Sequence, residues 1–270
     1  MSQAVNQERL TAIVLAGQRA SGDPVAQHTG ASCKALVEID GQPLLLRVLA
    51  ALQQASRINT IQLAGPTKDQ RDSSNALIEL CTNGSAEWHA PQATPSTSAY
   101  QLMQGLPPAQ AALLTSADHP YLTAELVDEF CQRSLASGAD VTVGLAPYER
   151  VATRFPTMQK TVMRFSDGGY CGCNLFGFLS PEGRRAADFW RQVENARKSP
   201  LKVIRMLGLW PLLRYKLGWL SSDEAMRLLS KRLGLRIEAV ILPYAEAAVD
   251  VDSVDDYEIV QRDFQQRRAD

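Results

Sequence analysis

The sequence predicts an α/β fold, a mostly parallel sheet with helices on its faces. Short apolar, β-leaning runs alternate with helix-period segments from end to end. The helical segments also open on residues that cap helices. The 270 residues, 45% hydrophobic and 21% charged, supply a sizeable core and exclude a disordered or collagen-like chain. They are read as a single domain over residues 1–270.

The first strand is placed at 11–16, where Thr-Ala-Ile-Val-Leu-Ala is an apolar run too short for a helix. Pro43 then opens a helix over 44–55, and strands follow at 60–64 and 87–90. A helix is expected over 99–106 and a strand over 111–115, after which Thr123 caps a helix over 124–137. Strands at 140–145 and 173–178 come next, and Ser180-Pro181 sets a cap before a proline at the first helical position. Ser221 to Glu224 reads as a capping box, strands are expected at 236–242 and 248–251, and Ser253-x-x-Asp256 opens the last helix.

Two stretches depart from the alternation. Between Ala16 and Leu36 lie nineteen residues rich in Gly, Ser, Asp, Pro and Thr, far longer than an ordinary βα connection and so read as a functional loop. From 198 to 235, helical stretches of Leu, Ile, Met and Trp alternate with Lys and Arg and are read as a helical insertion.

Lys plus Arg number 28 and Asp plus Glu 29, a net charge of −1, so there is no global basic field for nucleic acid. Five scattered cysteines, at 33, 81, 131, 171 and 173, form no paired framework, and the N-terminus shows no secretion signal. A reducing cytoplasm is the expected compartment. Residues 201–220 carry Lys202, Arg205, Arg214, Lys216 and Pro211, which excludes a membrane span. That stretch, with Trp210 and Trp219, is read as an amphipathic subdomain packing on the sheet or on a sister subunit. The alternative is a peripheral membrane helix or the wall of a lipidic acceptor site.

Three groups carry candidate chemistry. The first strand ends at Leu15-Ala16-Gly17, with Arg19 and Lys34 following. Either Gly17 closes a turn over solvated cations, or its backbone cradles a phosphate chain that Arg19 and Lys34 neutralise. The strand over 111–115 delivers Asp118 to its carboxyl end, where open parallel sheets bind ligands and an acid can hold Mg²⁺ on a phosphate. His119 is read as a loop neighbour. In Asp250-Val-Asp252, strand alternation sends both carboxylates to one face, where a cation would relieve their repulsion. Asp255 and Asp256 are assigned to the N-terminal dipole of the last helix.

Together the Leu-Ala-Gly turn, a lysine before an apolar residue, a strand ending in Asp118 and the closing Asp-x-Asp-x-x-Asp-Asp resemble the MobA-like nucleotidyltransferases. The resemblance covers residues 11–180 and 236–260. It implies a Rossmann-like, GT-A-like three-layer sandwich that moves a nucleotidyl group from an NTP to a small, phosphorylated acceptor, with Mg²⁺ and release of pyrophosphate. On it, Leu15, Ala16, Gly17, Arg19 and Lys34 match the phosphate-binding signature, with Lys34, Arg19 and Asp118 catalytic. Asp118 and Asp252, with Asp250, match the metal positions. Pro95-Ser96-Thr97-Ser98 looks like the loop that meets the base, through Ser96 and Ser98. Asn174 matches the acceptor side. Apart from the resemblance, Arg150, Arg154, Lys160 and Arg164 either line an anionic acceptor pocket, with Arg164 the contact taken, or form a solvated loop face. Here Gln18 stands where the family has a second glycine, and Ala35 where it has proline. Two rival readings stay open: a nucleotide-sugar-dependent glycosyltransferase, and a nucleotide-binding module without catalysis.

Overall fold

The computed structural model describes residues 9–17, 22–196 and 209–269, and in them the alternation becomes one eight-stranded sheet with a small two-stranded ribbon beside it. Strand β1 (Leu10–Leu15) leads to helix α1 (Pro24–Thr29), then to the ribbon strands β2 (Glu38–Ile39) and β3 (Gln42–Pro43) and to α2 (Leu44–Gln54). Next come β4 (Ile58–Ala64), α3 (Lys68–Asp72), α4 (Asn75–Thr82), β5 (Glu87–His89), α5 (Pro95–Gly105) and β6 (Ala112–Ser116). The second half runs α6 (Ala124–Ser137), β7 (Val141–Pro147), α7 (Tyr148–Arg154), β8 (Met163–Phe165), β9 (Gly168–Phe178) and α8 (Ala186–Ala196). It closes with α9 (Leu209–Lys216), α10 (Ser222–Leu233), β10 (Ile237–Ile241) and α11 (Val254–Ala269).

The large sheet has the order β10-β7-β9-β6-β1-β4-β5, with β8 pairing β9. Every pairing among β10–β7, β6–β1, β1–β4 and β4–β5 is parallel; β9 runs antiparallel to both β6 and β7 and joins the two parallel halves. Along β1 the pleat sends Ala12 and Val14 to one face and Ile13 to the other, and all three are fully buried. The first face packs on α2 and α6 through Leu45, Leu49, Val127 and Phe130. The second packs on α5, α8 and α10 through Met103, Trp190 and Leu229. Two cores on opposite faces of one sheet make the expected three layers, a Rossmann-like arrangement.

Three expectations are corrected. Residues 248–251 do not form a strand: Glu246–Ala248 is a 3₁₀ turn, and the following segment runs extended past β6, its Val251 N–H bonding the Asp118 carbonyl at 3.1 Å. The long loop contains α1, capped by Asp23, whose Oδ1 accepts from the N–H groups of Val25 and Ala26 at 3.0 Å, and ended by Gly30 at φ 73°. The segment Pro95–Ser98 is no loop either. Thr94 caps α5 by accepting from Thr97 N–H, and Pro95 takes the first helical position, so the helix begins four residues early. The insertion read over 198–235 is helical in α9 and α10, and its residues 198–208 lie outside the described residues.

Candidate active site

Parallel strands of one sheet end together, and the ends of β1 and β6 open into a cavity of about 850 Å³ bordered by Gly17, Lys34, Asp118, Asn174, Asp250 and Asp252. The chain reaches this cavity at Gly17 because Gly65, at φ 89°, packs directly beneath the turn. A Cβ on Gly65 would lie 2.9 Å from the Gly17 nitrogen. A smaller recess of about 50 Å³ is lined by Leu15, Ala16, Gly17, Lys34 and Asp118, at the edge of the large one.

Lys34 stands at the start of a 3₁₀ turn, and its ammonium donates to Asp118 Oδ2 and to Asp252 Oδ1, each at 2.6 Å. Burial alone pulls a lysine toward the neutral form, but here the two carboxylates outweigh it and hold Lys34 above its ordinary value. Burial likewise pushes the Asp118 carboxyl up, yet Lys34 and the Ser116 hydroxyl, 2.5 Å from Asp118 Oδ1, bring it below the usual carboxylate range. Asp118 is therefore an anion and Lys34 a cation at neutral pH. Two carboxylates from distant parts of the chain thus share one cation position.

Asp250 sits apart from that pair. One of its oxygens takes the Lys160 ammonium and the other the Asn174 amide at 3.0 Å. Burial raises this carboxyl against the pull of Lys160. Asn174 reaches it from an irregularity in β9. The register with β7 slips between Val143 and Leu145, and Asn174 adopts φ 50°, a left-handed conformation that asparagine tolerates. Lys160 belongs to a cluster of basic residues on the 150–164 stretch. Of these, Arg154 turns to Asp263 and Glu246 on the far side, and Arg164 lies over the Tyr148 ring at 6.0 Å, away from the cavity lining. The signal that could have singled out Lys160 is its acidic partner, which sequence spacing does not show.

The serines at the start of α5 are buried and engaged. Ser98 Oγ accepts from Gln92 N–H at 2.9 Å, and Ser96 Oγ lies 3.1 Å from Thr94 Oγ1. They brace the Gln92–Thr94 turn, while Pro95 lines the cavity. Thr115, also on the cavity wall, has a buried hydroxyl oxygen without a hydrogen-bond partner. Arg19 and Gln18 lie outside the described residues. The cysteines at 33, 131, 171 and 173 are buried free thiols, all raised above their ordinary value by burial. His119, beside Asp118, is buried with its Nε2 donating to the Ala247 carbonyl at 2.8 Å, a structural bond as expected of a loop neighbour.

A family model for the MobA-like NTP transferase domain matches residues 12–233, most of the chain, and takes in Gly17, Lys34, Asp118 and Asn174 of the cavity border. The chain belongs to the MobA-like NTP transferase family. Among solved structures, a hypothetical transferase from Thermus thermophilus is 28% identical, with a TM-score of 0.76 over 92% of this chain and 99% of its own. A CMP:2-keto-3-deoxy-manno-octonic acid synthetase complexed with CTP is 12% identical, with a TM-score of 0.60 over 96% and 99% of the two chains. A 4-diphosphocytidyl-2C-methyl-D-erythritol synthase from Anaerococcus prevotii is 12% identical, with a TM-score of 0.57 over 97% and 98%. At that identity the last two share the fold. A comparison with curated proteins finds no match. In this MobA-like NTP transferase domain the cavity opens at the carboxyl ends of β1 and β6. Among the described residues no helix is long and apolar enough to cross a membrane.

Proposed function

We propose that this protein transfers a nucleotidyl group from an NTP to a small phosphorylated acceptor and releases pyrophosphate. The observation that carries the reading is the Lys34 ammonium held between Asp118 and Asp252 beside the glycine turn of β1. In the step proposed, an oxygen of the acceptor phosphate forms a bond to the α-phosphorus as the bond from that phosphorus to the bridging oxygen of the β-phosphate breaks. The leaving electron pair departs on pyrophosphate. With an already ionised acceptor no proton moves, so the site needs no general base and works by positioning and charge. Lys34 supplies the fixed positive charge next to the leaving group, and the recess at Gly17 admits phosphate oxygens to backbone N–H groups.

Asp118 and Asp252 would hold Mg²⁺, a hard cation that takes one or two carboxylates and completes its shell with phosphate and water oxygens, through the carboxylate oxygens that Lys34 does not take. Bound there, Mg²⁺ would supply Lewis-acid neutralisation of the phosphates. Among the described residues no group of three or more His, Cys, Asp or Glu side chains converges as a closed metal cage. In this reading Asp250, paired with Lys160, orients the Asn174 amide toward the acceptor side of the cavity. Ser96 and Ser98 act on the base by holding the turn before α5.

The test is thermal stability with CTP, GTP, ATP and UTP, each with and without Mg²⁺, followed by pyrophosphate release on adding candidate phosphorylated acceptors. A nucleotide at about 100 times its Kd stabilises the folded chain by about 2.7 kcal/mol. We expect a Mg²⁺-dependent shift with one of the four, lost in Asp118→Ala. No shift with any NTP overturns the reading.

A further inference from the structure

Helix α9 and the turn after it present an apolar surface that the active site does not use. Among the described residues six large apolar side chains are exposed, and four of them fall within ten positions: Trp210 (63%), Leu213 (43%), Leu217 (47%) and Trp219 (61%). The spacing 210, 213, 217 is one stripe of a helix. The opposite side of the segment is anchored. The Tyr215 ring meets Phe165 at 5.6 Å and its hydroxyl accepts from Arg164 N–H at 3.2 Å, while the Leu220 carbonyl accepts from Ser166 N–H at 2.9 Å. The stripe is therefore held outward on a fixed mount, and the Arg214 guanidinium, bonded to the Trp219 carbonyl at 3.0 Å and to Glu224, fixes the turn that carries Trp219.

Basic residues outnumber acidic ones along this segment. Residues 209–236 carry Arg214, Lys216, Arg227, Lys231, Arg232 and Arg236 against Asp223 and Glu224, in a chain whose net charge is −1. From Arg197 to Ser222 the sequence holds six basic residues and no acidic one. Exposed indoles flanked by cations match the water-hydrocarbon boundary of a bilayer, where the ring is amphipathic and the ammonium meets headgroup phosphates. The same positive charge opposes pairing with a second copy of the face.

We propose that the α9 face docks on an anionic membrane surface, with Trp210 and Trp219 entering the interface and Lys216 at the headgroup level. The mount connects this face to the active site, because the β8–β9 hairpin that anchors it continues into Asn174. Docking itself does not depend on the transfer chemistry, and its test contains no nucleotide.

The experiment sediments the full chain with vesicles of phosphatidylcholine alone and of phosphatidylcholine with about 30% phosphatidylglycerol, at low and high salt. The expected result is binding to the anionic vesicles only, weakened by salt, with a blue shift of tryptophan emission. The Trp210→Ala/Trp219→Ala double variant should bind about tenfold more weakly or worse. Both indoles are mostly in solvent, so its melting temperature should stay at the wild-type value. Should it fail to fold, Lys216→Glu, at an exposed position, reports on the same face and should also bind more weakly. Absence of binding to the anionic vesicles overturns the proposal, as does binding unchanged in the variants that fold. So does concentration-dependent self-association that the double variant abolishes, which would make the face an interface between copies.

Discussion

Lys34 is the residue on which most of the electrostatics turns. Lys34→Met leaves Asp118 and Asp252 facing one another without a cation. We expect nucleotidyl transfer to fall by roughly 10² or more, as when a fixed charge at a phosphoryl site is removed, measured as initial pyrophosphate release. Thr115 tests the nucleotide side differently. Its hydroxyl has no partner, so Thr115→Val should leave stability unchanged or slightly raised, and a weaker nucleotide-induced thermal shift is expected if that oxygen meets the ligand. His119 sets a pH dependence. Burial holds its imidazole below the ordinary value of about 6.5, so the folded state resists protonation that the unfolded chain accepts. The stability this contributes is complete above about pH 6.5 and is lost as the pH falls toward 5. A melting temperature that drops over that range in wild type and not in His119→Gln is the expected measurement. Lys34, Asp118 and Asp252 were legible in the sequence because a strand end, a glycine turn and closely spaced acids are local signals. Lys160 stands out in the sequence only as one of four basic residues, with Arg150, Arg154 and Arg164, since its partner Asp250 is ninety residues away and no local pattern records that contact.

At the level of elements, Gly65 is the clearest point of failure. A methyl group there would strike the backbone of the β1 turn from below, on a residue already at positive φ. Gly65→Ala should cost about 2–4 kcal/mol, read from denaturant midpoints, and should weaken nucleotide binding beyond the loss of fold because the Gly17 turn shifts. The sequence reading found every strand of the large sheet except β8, and it found them because buried parallel strands are short apolar runs with turn residues on both sides. It placed one strand too many at 248–251. Val249 and Val251 are fully buried as a strand residue would be, but their N–H groups bond the Glu246 and Asp118 carbonyls rather than a ladder. Apolar alternation reports burial, and a segment crossing the ends of a sheet is buried without being part of it. The start of α5 was missed for a related reason: Pro-Ser-Thr-Ser has the composition of a loop, and only Thr94 before it marks a cap.

Taken whole, the molecule joins two parallel half-sheets through the antiparallel β9, and the cavity opens on the half formed by β1 and β6. That half lies within the first 116 residues, whereas Lys34 meets Asp252 across 218 positions of sequence. A ribosome that has released the chain as far as Asp118 has delivered the glycine turn and that carboxylate, but Asp250 and Asp252 emerge after β10, the last strand of the sheet. A chain ending at Val249 would hold every strand of the sheet and none of the closing carboxylates. The nascent protein thus passes through a stage in which the sheet sequence is complete and the ion-pair clasp is absent, so that the proposed nucleotide binding should wait for Asp252. Nucleotide protection in stalled nascent chains should accordingly begin only once the clasp residues have cleared the exit tunnel.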